Sequence, residues 1–249
     1  MTYESPILID DWLLWMQDFH REALELTQAL AFDPDGVSDP ELLSVKFGLY
    51  ARLLTFLDTA IRHTQSDKLL DLRIVARNII ECGMHMDAAN RWPDYLQKLK
   101  DDDKASRRSL AAEIPAEILD AEARRLQQYM LNDKTAKRLQ PTELGKGSEF
   151  ARLVLMYRKI SSDTAHVTAS SIARHMVEDA EGVGRLTIDP MISDEDLYEA
   201  FTSIALTLLL CTWLLMDAVP TSQRNDAMME LARRHQALYQ RDIRLSTEG

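Results

Sequence analysis

The sequence predicts an all-α protein, a single-domain helical bundle with two long central helices, on three observations. Hydrophobic residues make up 46% of the 249, yet the chain holds only 8 Gly and 8 Pro. Leu and Ala are frequent, and long stretches pass without a turn signal. Apolar side chains also recur at helical spacing along much of the chain. A chain of this length and content can bury a sizeable core.

Residues 9–31 open the pattern, with Trp12, Met16, Phe19, Ala23, Leu26 and Leu30 on a common side. Asp33-Pro34 and Asp35-Gly36 supply the turn chemistry that ends it. Asp39 is a good N-cap for the next helix, with Pro40 at its first position and Glu41 in its first turn. That helix runs to about Arg62. Ser66 is expected to cap a third helix reaching Arg91 or Trp92 before Pro93, and about 25 residues is long enough for a spine. Residues 94–113 are more charged and include KLKDDDK at 98–104, which reads as a solvated helix–helix connection.

Pro115 is expected to start a helix over 115–131. Residues 132–147, with Pro141, Gly145 and Gly147, read as a loop. Ser148 then caps a second long helix, about 149–178, carrying Leu153, Leu155, Met156 and Ile160. Residues 178–190 read as a surface loop. Ser193 followed by Asp194, Glu195 and Asp196 is a strong start for the next helix, because acceptors and negative charge satisfy its exposed N–H groups. An apolar helix over 199–219 follows and stops at Pro220, and a last helix covers about 222–243. With no internal repeat, low-complexity segment or long linker, one helical domain over 1–249 is expected. Residues 93–147 form its peripheral helical insert.

The formal net charge of −11 argues against broad attraction to nucleic acid, although a local basic patch is compatible with it. Cys82 and Cys211 both lie in apolar helical contexts and read as buried thiols of a reduced compartment. The opening MTYESPILIDDW has neither a basic stretch nor a long apolar one, so no secretory signal is expected. Residues 200–216 are uncharged and almost long enough to span a bilayer. Glu199 and Asp217 flank them in place of Lys or Arg, and Thr202, Ser203, Thr207 and Thr212 interrupt them. The expectation is a buried central helix in a soluble, cytoplasmic protein with no membrane partner.

The third helix is where chemistry is to be sought. Arg73, Arg77, Glu81 and His85 recur every four residues and form a slowly drifting polar stripe. Val75, Ile79, Cys82 and Met86 occupy the opposite side, and Ile74, Ile80 and Met84 flank the stripe. A helix this apolar is buried, and buried charges need partners. In the second long helix Arg158, Ser162, His166 and Ser170 repeat the spacing. Within one helix Arg and His eight apart stand about 12 Å apart along the axis, so a site is assembled across helices. The candidate catalytic residues are Arg77, Glu81 and His85 from one helix with Tyr157, Ser162 and His166 from the other.

The order Arg77-xxx-Glu81, then Trp92 and Tyr95, then Tyr157-xxx-Ser161-xxxx-His166, resembles a large group of bacterial helical proteins catalogued as a domain of unknown function. The resemblance covers about residues 45–218. It implies an all-α fold and puts weight on Arg77, Glu81, Tyr157, Ser161 and His166. Arg77-Asn78 with His85 also resembles the HEPN-type helical ribonucleases, with a longer Arg-to-His spacing than that pattern has.

A nuclease of this kind needs a His that exchanges a proton near neutral pH and a cation to stabilise the charge of a phosphorane-like state. His85 or His166 with Arg77 or Arg158 supplies both without metal, and RNA would approach by Lys134, Lys137, Arg138 and Lys146. The structural alternative is a buried Arg77–Glu81 ion pair anchoring two helices, with His166 hydrogen-bonded in the core. A metal shell of Glu81, His85, His166 and Asp163 is the third arrangement, but the paired Glu-x-x-His motifs of di-iron bundles are missing. No cofactor or metal is expected, since no Gly-rich phosphate loop, G-x-S-x-G, H-E-x-x-H or CxxC occurs. His20, His63, His175 and His235 lie on charged helical faces and are expected at the surface. The chain therefore reads as a binding or regulatory module, whose partner would be another protein or a second copy of itself. The alternative is a metal-independent ribonuclease of a toxin or phage-defence system.

Overall fold

Trp12, Trp15, Met16, Phe19, Ala23 and Leu26 form one buried stripe along α1 (Ile9–Ala29). This stripe faces the bundle of the computed structural model, which describes residues 8–29, 39–148, 150–164, 168–178, 184–188, 190, 192–218 and 225–248. Leu30 and the turn at 33–36 lie outside them. α2 (Pro40–Gln65) starts as its sequence predicts, with the Leu42 amide donating to Asp39 Oδ1 at 2.9 Å. Its end corrects one expectation. The Ser66 hydroxyl donates back to the Arg62 carbonyl at 2.8 Å, so Ser66 closes α2 instead of opening the next helix. Asp67 turns the chain at φ 55°, a left-handed conformation that Asp tolerates better than most residues. α3 (Leu69–Arg91) then begins without a side-chain cap and runs back along α2. It ends where Trp92 goes extended (φ −101°, ψ 117°), as the residue before a proline must.

α9 (Asp194–Ala218) lies beside α3. Its start is capped as expected, the Asp196 amide donating to Ser193 Oγ at 3.2 Å. Arg73 faces Asp196 while Gly83 faces Thr207, so the two helices run parallel. α9 is the one described helix long and apolar enough to cross a membrane, with a mean hydropathy of 1.7 over its most apolar window. Helices cover it on several sides, and 78% of that window is buried. Tyr50 of α2 shares a 2.8 Å hydrogen bond with Thr212 inside this seam.

The two long central helices are thus α3 and α9. The long helix expected over 149–178 is broken into α7 (Ala151–Thr164), α8 (Ala169–Ala173) and β1 (Met176–Glu178). Local hydroxyls explain the start of α8. Ser171 N donates to Thr168 Oγ1 at 3.1 Å and Thr168 N to Ser171 Oγ at 2.9 Å, a reciprocal cap that starts a new helix. The expected loop over 178–190 contains β2 (Gly184–Leu186), antiparallel to β1 with Met176 opposite Leu186.

α4 (Tyr95–Glu113) and α5 (Ala121–Asn132) form a hairpin. Pro115 leads into a 3-10 turn at Ala116–Ile118, and α5 starts later than expected, where Ala123 N donates to Asp120 Oδ1 at 2.8 Å. Gln127 Nε2 donates to the Ala111 and Ile114 carbonyls, both at 2.7 Å, satisfying the exposed end of α4. The expected loop over 132–147 includes a short helix, α6 (Pro141–Leu144).

α10 (Asn225–Glu248) returns antiparallel along α1. Trp12 Nε1 donates to Asp242 Oδ2 at 2.7 Å and Trp15 Nε1 to the Leu231 carbonyl at 2.9 Å. His235 corrects its surface assignment, for it packs among Trp12, Trp15 and Tyr239 with ring centroids 6.0–6.2 Å away. Burial pushes its pKa down to about 4.

Candidate functional site

A stripe with a four-residue repeat drifts around its helix, because four residues turn 400°. From Arg73 to Glu81 the drift carries the polar residues of α3 from the core outward. Arg73 is 2% exposed, whereas the side chains of Arg77 and Glu81 are 26% and 36% exposed. Each residue therefore meets a different neighbour.

Arg73 reaches the N-terminal turns of α9. Its Nη1 lies 2.8 Å from Asp196 Oδ1 and 3.6 Å from Glu199 Oε2. Arg174 pairs with the second Asp196 oxygen at 2.6 Å, and Lys159 of α7 reaches Glu199 at 3.2 Å and Glu195 at 2.9 Å. Against the cost of burial, the Arg174 hydrogen bond and the Arg73 charge hold the Asp196 carboxyl below its ordinary range. For Glu199 burial prevails, and its pKa rises.

Arg77 reaches α7. Its Nη2 donates to the Tyr157 hydroxyl at 2.6 Å and its Nε to Ser161 Oγ at 3.0 Å. The guanidinium also lies 4.9 Å from the Tyr157 ring centroid, and Nη1 is 3.7 Å from Glu81 Oε2. Tyr157 and Ser161 are four apart, so one face of α7 presents both.

The two described side chains of the expected second stripe, Arg158 and Ser162, are turned away from this face. Arg158 and Ser162 are exposed, and the Ser162 hydroxyl donates to the Lys159 carbonyl at 2.7 Å. Ser162 is therefore replaced at the α3–α7 contact by Ser161. His166, and the side chains of Asp163 and Ser170, lie outside the described residues.

His85 takes a third direction. Its Nδ1 is hydrogen-bonded to the hydroxyl of Tyr95, which is fully buried at the start of α4, at 2.9 Å. Burial lowers the His85 pKa against the opposing charges of Glu81 and Asp102, and burial raises that of the Tyr95 hydroxyl. Tyr95 escaped the sequence reading as a partner because it stands beyond Pro93, on another helix. Burial also pushes the neighbouring Cys82 thiol up to about 11, which leaves it a weak nucleophile.

The cationic loop lies at the far end of α3. Lys137, Arg138 and Lys146 line a cleft of about 550 Å³ with Trp92, Lys98, Asp101 and Glu143; Lys134 is not part of it. Trp92 stands fifteen residues beyond Arg77, roughly 22 Å along a helix axis. The cations and the Arg77 cluster thus belong to different places. Among the described residues no group of three His, Cys, Asp or Glu side chains is placed to hold a metal ion.

Comparison with protein-family models, with curated proteins and with solved structures found no match.

Proposed function

We propose that the chain is a helical binding or regulatory module in which α3 is a structural hub and its polar stripe is a set of joints. One observation carries this reading: Arg73, Arg77 and His85 are engaged by three different helices, α9, α7 and α4. A metal-free nuclease needs a His and a cation converging on one substrate atom, and dispersal over three helices favours scaffolding instead. Exposed Leu110, Ile118, Leu126 and Tyr129 on the α4–α5 hairpin supply apolar surface for a protein partner. The free, buried Cys82 and Cys211 are compatible with a reducing, cytoplasmic setting.

One feature favours the ribonuclease reading as the second choice. Arg77, Glu81, Tyr157 and Ser161, four of the residues behind the likeness to the bacterial helical group, meet at a partly exposed edge. RNA cleavage by the wild type and Arg77→Ala, with EDTA present, separates the two readings when thermal unfolding is measured alongside. The module reading expects no cleavage and a lower melting temperature for the variant. Cleavage by the wild type, lost in a variant that melts normally, would overturn it.

A further inference from the structure

The cleft at the end of α3 gathers several exposed cations of this acidic chain. The sequence holds 40 Asp and Glu against 29 Lys and Arg. Most described arginines and several lysines are committed to carboxylates, aromatic rings or backbone carbonyls. Lys137, Arg138 and Lys146 are exposed and make no side-chain ion pair or hydrogen bond with any described residue, yet all three line one concavity. Lys98 adds a fourth positive charge, paired with Asp94 and 5.7 Å from the centroid of the Trp92 ring. Four cations against the Asp101 and Glu143 carboxylates leave the lining with an excess of positive charge, and an anion in the cleft would offset it.

The backbone that carries these cations is fastened from both sides. The Leu139 amide donates to Asp102 Oδ1 at 2.7 Å, and Arg108 holds the Asp133 and Ala136 carbonyls, tying the 133–139 segment to α4. On the other wall Arg91 donates to the Leu144 carbonyl at 2.6 Å and to that of Lys146 at 3.0 Å, tying the turn after α6 to α3. Its own charge is anchored by Asp87 at 2.8 Å. Gly145 allows that turn to press against α7, since a Cβ there would lie 1.9 Å from Val154 Cγ2. The side chains remain exposed while the backbone that carries them is held, which lowers the backbone's share of the ordering cost of binding.

The lining also has a flat face and two acceptors. Trp92 provides an indole wall, and Asp101 and Glu143 share the rim with the cations. Phosphates suit the lysines and arginine, a planar base suits the indole, and sugar hydroxyls can donate to the carboxylates. A volume of about 550 Å³ matches a small-molecule site. A polynucleotide would have to continue past the 101–103 acidic run and the mean field of −11, whereas a short ligand stays within the basic zone. We propose that the cleft lined by Trp92, Lys98, Lys137, Arg138 and Lys146 binds a nucleoside polyphosphate.

This inference rests on the reading of the chain as a binding module, and its readout is binding rather than cleavage. Calorimetric titration with ATP, AMP, adenosine and tripolyphosphate, and with a short single-stranded RNA, tests it on the full chain. ATP should bind most tightly, with affinity falling as salt rises. The double variant Lys137→Glu/Arg138→Glu, whose side chains are exposed, should fold normally and bind ATP at least tenfold more weakly. Trp92→Leu, checked for native circular dichroism, should reduce ATP to the affinity of tripolyphosphate. ATP binding unchanged in the double variant, no ATP binding at millimolar concentration, equal affinity of wild type for ATP and tripolyphosphate, or binding of RNA alone would each overturn the proposal. RNA cleavage by the wild type would overturn the module reading without altering the calorimetric result.

Discussion

Gly83 of α3 faces Thr207 of α9 so closely that a methyl group at Gly83 would lie 2.4 Å from the Thr207 Cγ2. Ala is otherwise the better helix residue by about 1 kcal/mol, so the gain and the clash oppose each other. The clash should prevail: Gly83→Ala is expected to lower stability by roughly 1–2 kcal/mol, within the range for overpacked cores. Adding Thr207→Ser removes the offending methyl and keeps the hydroxyl that donates to the Ser203 carbonyl at 2.7 Å. The double variant should regain wild-type stability in urea unfolding. A single variant as stable as wild type would refute the close approach.

Arg73 gives a larger expected loss. Removing it strands Asp196 and Glu199 with fewer partners in a largely buried place. Arg73→Met should cost roughly 3–5 kcal/mol, the usual penalty for breaking a buried pair from one side. Denaturant unfolding measures it, and a change below about 1 kcal/mol would mean that Arg174 and Lys159 suffice.

For Arg77 and Tyr157 the informative quantity is their coupling. Arg77→Ala, Tyr157→Phe and the double variant form a cycle that reports the hydrogen bond, because Phe keeps the ring under the guanidinium. An interaction energy of about 1 kcal/mol is expected. Additive single effects would leave the joint between α3 and α7 to Ser161 and the ring contact.

His235 sets a pH dependence whose sign follows from its environment. Its folded pKa of about 4 lies below the ordinary 6.5, because burial among aromatic rings disfavours the cation. The unfolded chain therefore binds more protons between these values. This contribution is favourable and constant above pH 6.5, and it is lost progressively as pH falls from 6.5 towards 4. At 1.36 kcal/mol per pKa unit it amounts to at most about 3 kcal/mol. His235→Phe should flatten that part of the stability–pH curve relative to wild type; parallel curves would place the acid sensitivity elsewhere.

Helix existence was legible in the sequence wherever apolar periodicity was strong, as in α1, α2, α3 and α9. Boundaries failed where one residue type can serve either end of a helix. Ser66 looks like an N-cap, and its hydroxyl instead turns back to Arg62. Thr168 and Ser171 carry no apolar signal, yet their reciprocal hydrogen bonds separate α8 from α7. The stripe on α3 was visible as a pattern, but its partners were not, because spacing along one helix does not set the rotation of the next. That rotation places Tyr157 and Ser161 against Arg77 and leaves Arg158 and Ser162 outside. The cations of the cleft around Trp92 were visible in the sequence, but their closure with Trp92 into one concavity was not, since hydrogen bonds involving Arg91, Arg108 and Asp102 bring its walls together.

The position of α9 in the chain has a consequence for biogenesis. Its most apolar window is sheathed by helices that precede and follow it in the sequence. During synthesis the earlier helices leave the ribosome first and wait, with their apolar faces uncovered, for a wedge that is translated after them. Once that wedge is made, α10 still has to close against α1 through the Trp12–Asp242 hydrogen bond, whose partners are 230 positions apart. Closure across so long a stretch of chain is the kind of contact that slows folding, because its loop entropy is lost before the contact forms.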